Sequence, residues 1–399
     1  MKKKANIIYV RNFISLIIIT SFLKEKANKS IKNVLILPQQ YFSTKTFIFC
    51  KSFFERYFEK VFLINYIKKP IYKSPTNIIN KFYFKLNVIF FDYLYYSYKR
   101  SKNVDRFSLI IKDIILNYKV INIYSGGDDI ELAIQKITKK KSPIYFIEHG
   151  IGHLTTDMFL KKKSLQRSFF ILLNSLLFKF RILFYSNVNW DGYITVIGRK
   201  INNRFLKKNF QNLRSEGVSP LIKKICVKIE NINIIMNELI NFYKLKRPKT
   251  LKNFVFLDFS SNPKPKNINK MKQNMNLIAS LINKKNDIIL LKEKKHAKYK
   301  NSGFQKILIS HLKKNNFKII SLSKHPLKIF PIELIIKLFK IKKTISYESS
   351  AIFFSNILFK KKKYHVFYSH LSKNKHVDKS WLNTIDVLKK GFKKEVNFY

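Results

Sequence analysis

Short apolar runs punctuate the chain at intervals filled by helix-like segments. Asn6 to Val10, Val34 to Pro38, Val61 to Ile64, Val88 to Phe91, Val120 to Tyr124, Ile144 to Ile147 and Tyr193 to Ile197 are rich in Val, Ile, Phe and Tyr. Runs of that length and composition predict strands, and strands alternating with helices predict a parallel sheet wrapped by helices. At the N-terminus the pattern predicts a strand ending at Val10, a turn at Arg11-Asn12, and a buried helix over the apolar stretch Phe13 to Leu23. Lys2 to Lys4 followed by that stretch imitate a targeting signal. However, Asn6, Arg11 and Asn12 interrupt it, no small-residue cleavage site follows, and about 20 apolar residues are needed to span a bilayer. The apolar run Phe169 to Tyr185 is broken by Asn174, Lys179 and Arg181. It reads as a buried helix or one lying on a membrane surface.

The segment NFYKLKRPKTLK, Asn241 to Lys252, is charged, carries a proline and separates a helix-like segment from the fresh strand FVFLDF. A boundary there gives a first domain at 1–245 and a second at 246–399. The pattern then restarts, with strands expected at Phe254 to Phe259, Asp287 to Leu291, Phe317 to Ser321 and Thr344 to Tyr347. Helices are expected near Lys270 to Ile282 and Ile332 to Phe339. Two successive α/β halves predict paired Rossmann-like domains with a cleft between them. In such sheets ligands sit at the carboxyl ends of strands, so the residues just after strands matter most.

Charge changes the picture only in part. Lys and Arg number 79 against 23 Asp and Glu, a formal net charge of +56, with runs such as Lys161-Lys162-Lys163 and Lys360 to Lys363. Such a field favours polyanions, anionic sugars or an acidic membrane surface. The abundance of Lys, Ile, Asn and Phe also fits a coding bias, so charge alone identifies no partner. Cys50 and Cys226 lie far apart with no second thiol near either, which excludes a disulfide framework and a Cys-based zinc knuckle and fits a reducing cytoplasm.

Five stretches carry candidate chemistry. In YSGGDDIELA a strand ends at Gly126-Gly127, and Asp128 or Asp129 is placed to cap the following helix. In PIYFIEHGIGH a strand delivers Glu148 to the sheet's carboxyl edge, where a carboxylate can act as general base towards a substrate hydroxyl. His149 and His153 are four apart, a zinc spacing on a helix, but Gly150 and Gly152 oppose a helix and the acid lies outside the pair; no metal is expected. In DIILLKEKKHAKY, His296 stands in a basic loop after a strand, suited to meeting a phosphate leaving group. In IFPIELIIKLF, Pro331 pre-sets a helix start and Glu333 falls in the first turn. In KKTISYESSAIFF, Ser349 and Ser350 open a helix after a strand, a ready phosphate cradle.

The order of these motifs, Glu-x-Gly in the first half, then a strand with histidine, a Pro-x-Glu-Leu helix start and Ser-Ser in the second, resembles the bacterial sialyltransferases and polysialyltransferases of capsule and lipooligosaccharide synthesis. The resemblance implies a GT-B fold and metal-independent, inverting transfer of sialic acid from CMP-sialic acid to a glycan acceptor hydroxyl, with no cofactor. It implies that Glu148 is the acceptor-activating base and Gly150 the motif glycine. His296 would assist departure of CMP, Glu333 would contact the nucleotide, and Ser349 and Ser350 would bind phosphate. Two positions depart from the family pattern: His149 stands where an acid is usual, and Ala297 follows His296 where the family has proline. A literal His-Pro occurs at His325-Pro326, which makes His325 the alternative catalytic acid. The expected setting is cytoplasmic, with peripheral contact to the acidic inner membrane face.

Two other readings compete. One is a glycosyltransferase of the same fold using a different nucleotide sugar. The other is a non-enzymatic polyanion- or nucleic-acid-binding protein, which the charge alone would suggest. Against the latter, the basic residues are spread along the chain and no nucleic-acid motif is present, so no nucleic-acid partner is expected.

Overall fold

A computed structural model of the chain describes residues 2–26, 28, 30–39, 42–64, 107–114, 116–126, 133, 137, 142–148, 190–200, 223–250, 252–259, 268–292, 303–322, 327–347, 349–359, 362–367, 388–392 and 394–399. The first sheet is built from β1 (Lys3–Tyr9), β2 (Ile31–Pro38), β3 (Lys60–Ile64), β4 (Tyr118–Ser125), β5 (Ile144–Ile147), β6 (Gly192–Thr195) and β7 (Lys223–Cys226). These strands are ordered β3-β2-β1-β4-β5-β6-β7, and every pairing is parallel. The second sheet contains β8 (Asn253–Asp258), β9 (Asp287–Leu291), β10 (Ile319–Ser321), β11 (Lys343–Tyr347), β12 (Lys363–Phe367) and β13 (Val396–Phe398), ordered β10-β9-β8-β11-β12-β13 and again all parallel. Both run outward from a central first strand in the doubly wound order, with a switch point between β1 and β4 and another between β8 and β11. The fold is α/β, with two Rossmann-like sheets.

The apolar character of the runs follows from burial on both faces, which parallel sheets require. Ile7, Ile8 and Tyr9 of β1 and Val34 to Ile36 of β2 have no exposed surface. One polar row crosses this apolar sheet: the Asn6 amide donates to Asn33 Oδ1 (2.9 Å) and the Asn122 amide to Asn6 Oδ1 (3.0 Å). These three residues are partners in the β2-β1-β4 register, so a slip of one residue would break the row and bury its amides unpaired.

Helix α1 (Phe13–Glu25) starts where Asn12 leaves helical geometry and its side chain accepts from Ser15 N–H at 2.8 Å. Every residue from Phe13 to Leu23 is buried, as expected for a helix apolar all round. Its hydroxyls are satisfied internally, with Thr20 donating to Leu16 O and Ser21 to Ile17 O. The other named helices are α2 (Thr44–Phe54), α3 (Ile229–Phe242), α4 (Ile268–Ser280), α5 (Gly303–Lys314), α6 (Ile332–Leu338) and α7 (Ser350–Leu358). Helix α3 follows the last strand of the first sheet and packs on both α1 and α7, which joins the two halves.

Two expected strands end elsewhere: the run from Tyr193 stops at Thr195 and continues as a 3-10 turn, Ile197–Lys200, and the run from Phe317 begins only at Ile319. The expected strand Val88 to Phe91, the caps Asp128 and Asp129, the run Lys161 to Lys163 and the stretch Phe169 to Tyr185 lie outside the described residues. Among the described residues no helix is long and apolar enough to cross a membrane.

Candidate functional site

The second half meets the carboxyl side of the first sheet at two places. At the first, Phe330, just before α6, is fully buried in an aromatic nest built by the first half. Its ring lies 5.6 Å from Phe13, 5.8 Å from Phe49 and 5.4 Å from Tyr243. Tyr243 stacks on Phe49 at 4.3 Å and donates its hydroxyl to Phe49 O at 2.7 Å, which fixes the wall of the nest. At the second, the 3-10 turn after β6 packs on α7. An ideal Cβ on Gly391 would stand 2.4 Å from Lys200 O, so only glycine permits that approach, and Lys200 also pairs with Glu395 at 2.7 Å.

Glu148 lies at the carboxyl end of β5, the predicted edge, but is fully buried. Its Oε1 accepts from the Tyr193 hydroxyl (2.6 Å) and the Thr195 hydroxyl (2.9 Å). Its Oε2 accepts from the backbone N–H groups of Val196 (2.6 Å) and Ile197 (3.0 Å). Four donors occupy the roughly four lone-pair sites of an ionised carboxylate. Burial raises its pKa, against the opposing pull of those four hydrogen bonds. Burial and the neighbouring carboxylate push the Tyr193 hydroxyl well up, so it stays a donor. The backbone of Glu148 is held as well, with its carbonyl accepting from Ser15 Oγ at 2.7 Å. Thr195 Oγ1 in turn accepts from Gly198 N–H at 2.7 Å. A Cβ on Gly198 would fall 2.6 Å from Thr195 Cγ2, so the turn closes only around glycine. The carboxylate therefore shapes the turn that meets the second half instead of facing solvent.

In the second sheet Glu333 is also buried, in the first turn of α6. Burial raises its pKa to about 7, opposed by a hydrogen bond from its own backbone N–H and by Lys292. Lys292, at the carboxyl end of β9, donates to Phe330 O, tying that edge to the aromatic nest. Ser349 is the N-cap of α7 and Ser350 its first residue; both are half-buried. The Ser349 side chain makes no capping hydrogen bond; its carbonyl takes the Ile352 N–H at 3.0 Å, which leaves the N–H groups of Ser350 and Ala351 at the helix start for an incoming acceptor.

The structure thus places Glu148 at the carboxyl edge of the first sheet and Glu333, Ser349 and Ser350 at that of the second. His149, Gly150, His153, His296 and His325 lie outside the described residues. Sequence reasoning missed Asp258, a buried acid ending β8 and paired in register with Ser346 at the second switch point. The signal was present, since FVFLDF is an apolar strand that ends in an acid. It also missed Tyr193 and Thr195, for which an apolar-looking strand offers no signal.

No protein-family model and no curated protein matches the chain. Among solved structures, it is similar to a sialyltransferase from Photobacterium damsela, with 11% identity and a TM-score of 0.47, covering 99% of this chain and 81% of that one. It is similar to Phytolacca americana apo UGT2, with 9% identity and a TM-score of 0.47, covering 99% and 86%. A third likeness is to Anabaena Alr3699/HepE in complex with UDP and glucose, with 12% identity and a TM-score of 0.42, covering 92% and 81%. At such identities, and with TM-scores under 0.5, these likenesses identify neither a donor nor a reaction.

Proposed function

We propose that the protein is a glycosyltransferase that takes a nucleotide-sugar donor between its two carboxyl edges, and that the donor is CMP-sialic acid. One observation carries the reading: α7 begins at the carboxyl end of β11 with Ser349 not capping its own helix, and the same helix packs on the 3-10 turn and α3 of the first half. A phosphate there gains two hydroxyls, first-turn N–H groups and the positive end of a nine-residue helix. The order of motifs that resembles the sialyltransferases supports the donor, because CMP leaves with one phosphate whose developing charge such a cradle can meet. In this reading the acceptor glycan approaches from the first half, and His296, or else His325, assists the leaving group.

Glu148 shapes the acceptor side. Proton removal by Glu148 itself, which the resemblance implies, requires its carboxylate to shed the Tyr193 and Thr195 hydroxyls. Until that happens it is a positioning residue.

The test is donor turnover with CMP-sialic acid beside UDP- and GDP-sugars, using wild type, the Ser349→Ala/Ser350→Ala double variant and His296→Ala. CMP-sialic acid should be consumed, and the double variant should lose at least about tenfold in kcat/KM, as expected when hydrogen bonds to a charged group are removed. Turnover of another nucleotide sugar alone would reassign the donor. No turnover of any of them, or full activity in the double variant, would overturn the site.

A further inference from the structure

We infer that the amino edge of the first sheet is a docking face for an acidic phospholipid surface. Strands of a parallel sheet all start at one edge, and here five of the seven starts carry lysine: Lys3 and Lys4 on β1, Lys32 on β2, Lys60 on β3, Lys119 on β4 and Lys223 on β7. Of these, Lys32 is committed to Glu59 at 3.2 Å. Lys2, Lys3 and Lys60 line an open cavity of about 620 Å³, together with Leu116, Asn117 and Tyr118. All three lysines are exposed, and Lys60 Nζ stands 6.0 Å from the Tyr118 ring centroid. A row of lysine ammonium groups along one edge attracts anionic phosphodiester headgroups.

Apolar exposure selects a membrane over a nucleic acid. Helical residues 107–114 and 116–117 lead into β4, and Leu109 and Leu116 are 67% and 69% exposed. Leu116 lines the cavity itself. Leucines beside lysines suit the boundary between headgroups and acyl chains, whereas a sugar–phosphate backbone has no use for them. Docking by this edge leaves the opposite, carboxyl edge clear for the reaction proposed above, on which the inference does not depend.

The experiment is co-sedimentation of the full chain with phosphatidylcholine vesicles, with and without phosphatidylglycerol. Wild type should bind only the acidic vesicles, and less at high salt. Lys2→Gln/Lys3→Gln/Lys60→Gln should reduce partitioning by about fivefold per lysine. The same charge change on α5, Lys306→Gln/Lys313→Gln/Lys314→Gln, should change it far less, and Leu109→Ser/Leu116→Ser should weaken the salt-resistant part. Circular dichroism would confirm that each variant is folded. Equal losses in the two lysine triples would make the charge compositional and overturn the inference. So would equal binding to both vesicle types, or duplex RNA binding that depends on the three lysines while vesicle binding does not.

Discussion

Two buried carboxylates, Glu148 and Glu333, stand at the carboxyl edges of different sheets and are held by different means. Glu148 accepts from two hydroxyls that can turn round and from two backbone N–H groups that cannot. Glu148→Gln can keep its amide oxygen on Val196 and Ile197 and offer its N–H₂ to Tyr193 and Thr195, at about 1–2 kcal/mol. Glu148→Ala leaves all four donors without an acceptor and should cost about 3–5 kcal/mol in urea unfolding. A Gln variant as unstable as the Ala one would show that charge, not acceptor number, holds the turn. For Glu333 the pKa of about 7 in the fold lies above that of an unfolded glutamate. An acid with a raised pKa binds its proton more tightly when folded, so its contribution is complete below about pH 4 and is lost as pH rises through about 7. Thermal unfolding should therefore show Glu333→Gln gaining on wild type between pH 5 and 8, by on the order of 3 kcal/mol at the upper end. A difference that does not vary with pH would mean that Glu333 titrates normally.

At the scale of elements, legibility followed the length of the apolar run. Helix α1 was readable because an apolar stretch follows the turn at Arg11-Asn12, and its eleven consecutive buried positions leave no polar face, although its burial also depends on α3 far away in the chain. Strands β7, β12 and β13 were not anticipated: KKIC, KYHVF and VNF are short, and the first begins with two lysines. Such segments become strands because a neighbouring strand offers unpaired N–H and C=O groups, which is invisible in their own residues. The run from Tyr193 was read as reaching Ile197, yet it stops at Thr195 because Glu148 claims the N–H groups of Val196 and Ile197. The approach to α6 is similar: Pro331 was readable as a helix start, but the burial of Phe330 among Phe13, Phe49 and Tyr243 was not. Phe330→Ala should cost about 3–5 kcal/mol, and Phe330→Leu much less. If the Ala variant unfolds with wild type in urea, the aromatic nest does not join the halves.

For the whole molecule, the +56 charge looked evenly spread along the sequence, and folding sorts it. In the first sheet, five of the seven strand starts carry lysine, while the described strand ends carry Tyr9, Pro38, Ile64, Ser125, Ile147, Thr195 and Cys226. Lys200 and Lys292 are exceptions, and each is bonded where the halves meet, to Glu395 and to Phe330 O. By itself the sequence determined two α/β halves, the strands of their centres, the helix starts at Asn12, Pro331 and Ser349, and the presence of an acid after β5. Those features are local: apolar runs, caps and turn residues act within a few positions of one another. Only the tertiary structure decided which groups Glu148 meets, where Phe330 is seated, and which lysines line one cavity. Each depends on residues distant in the chain brought together by strand order, and no periodicity in a single segment encodes such a meeting.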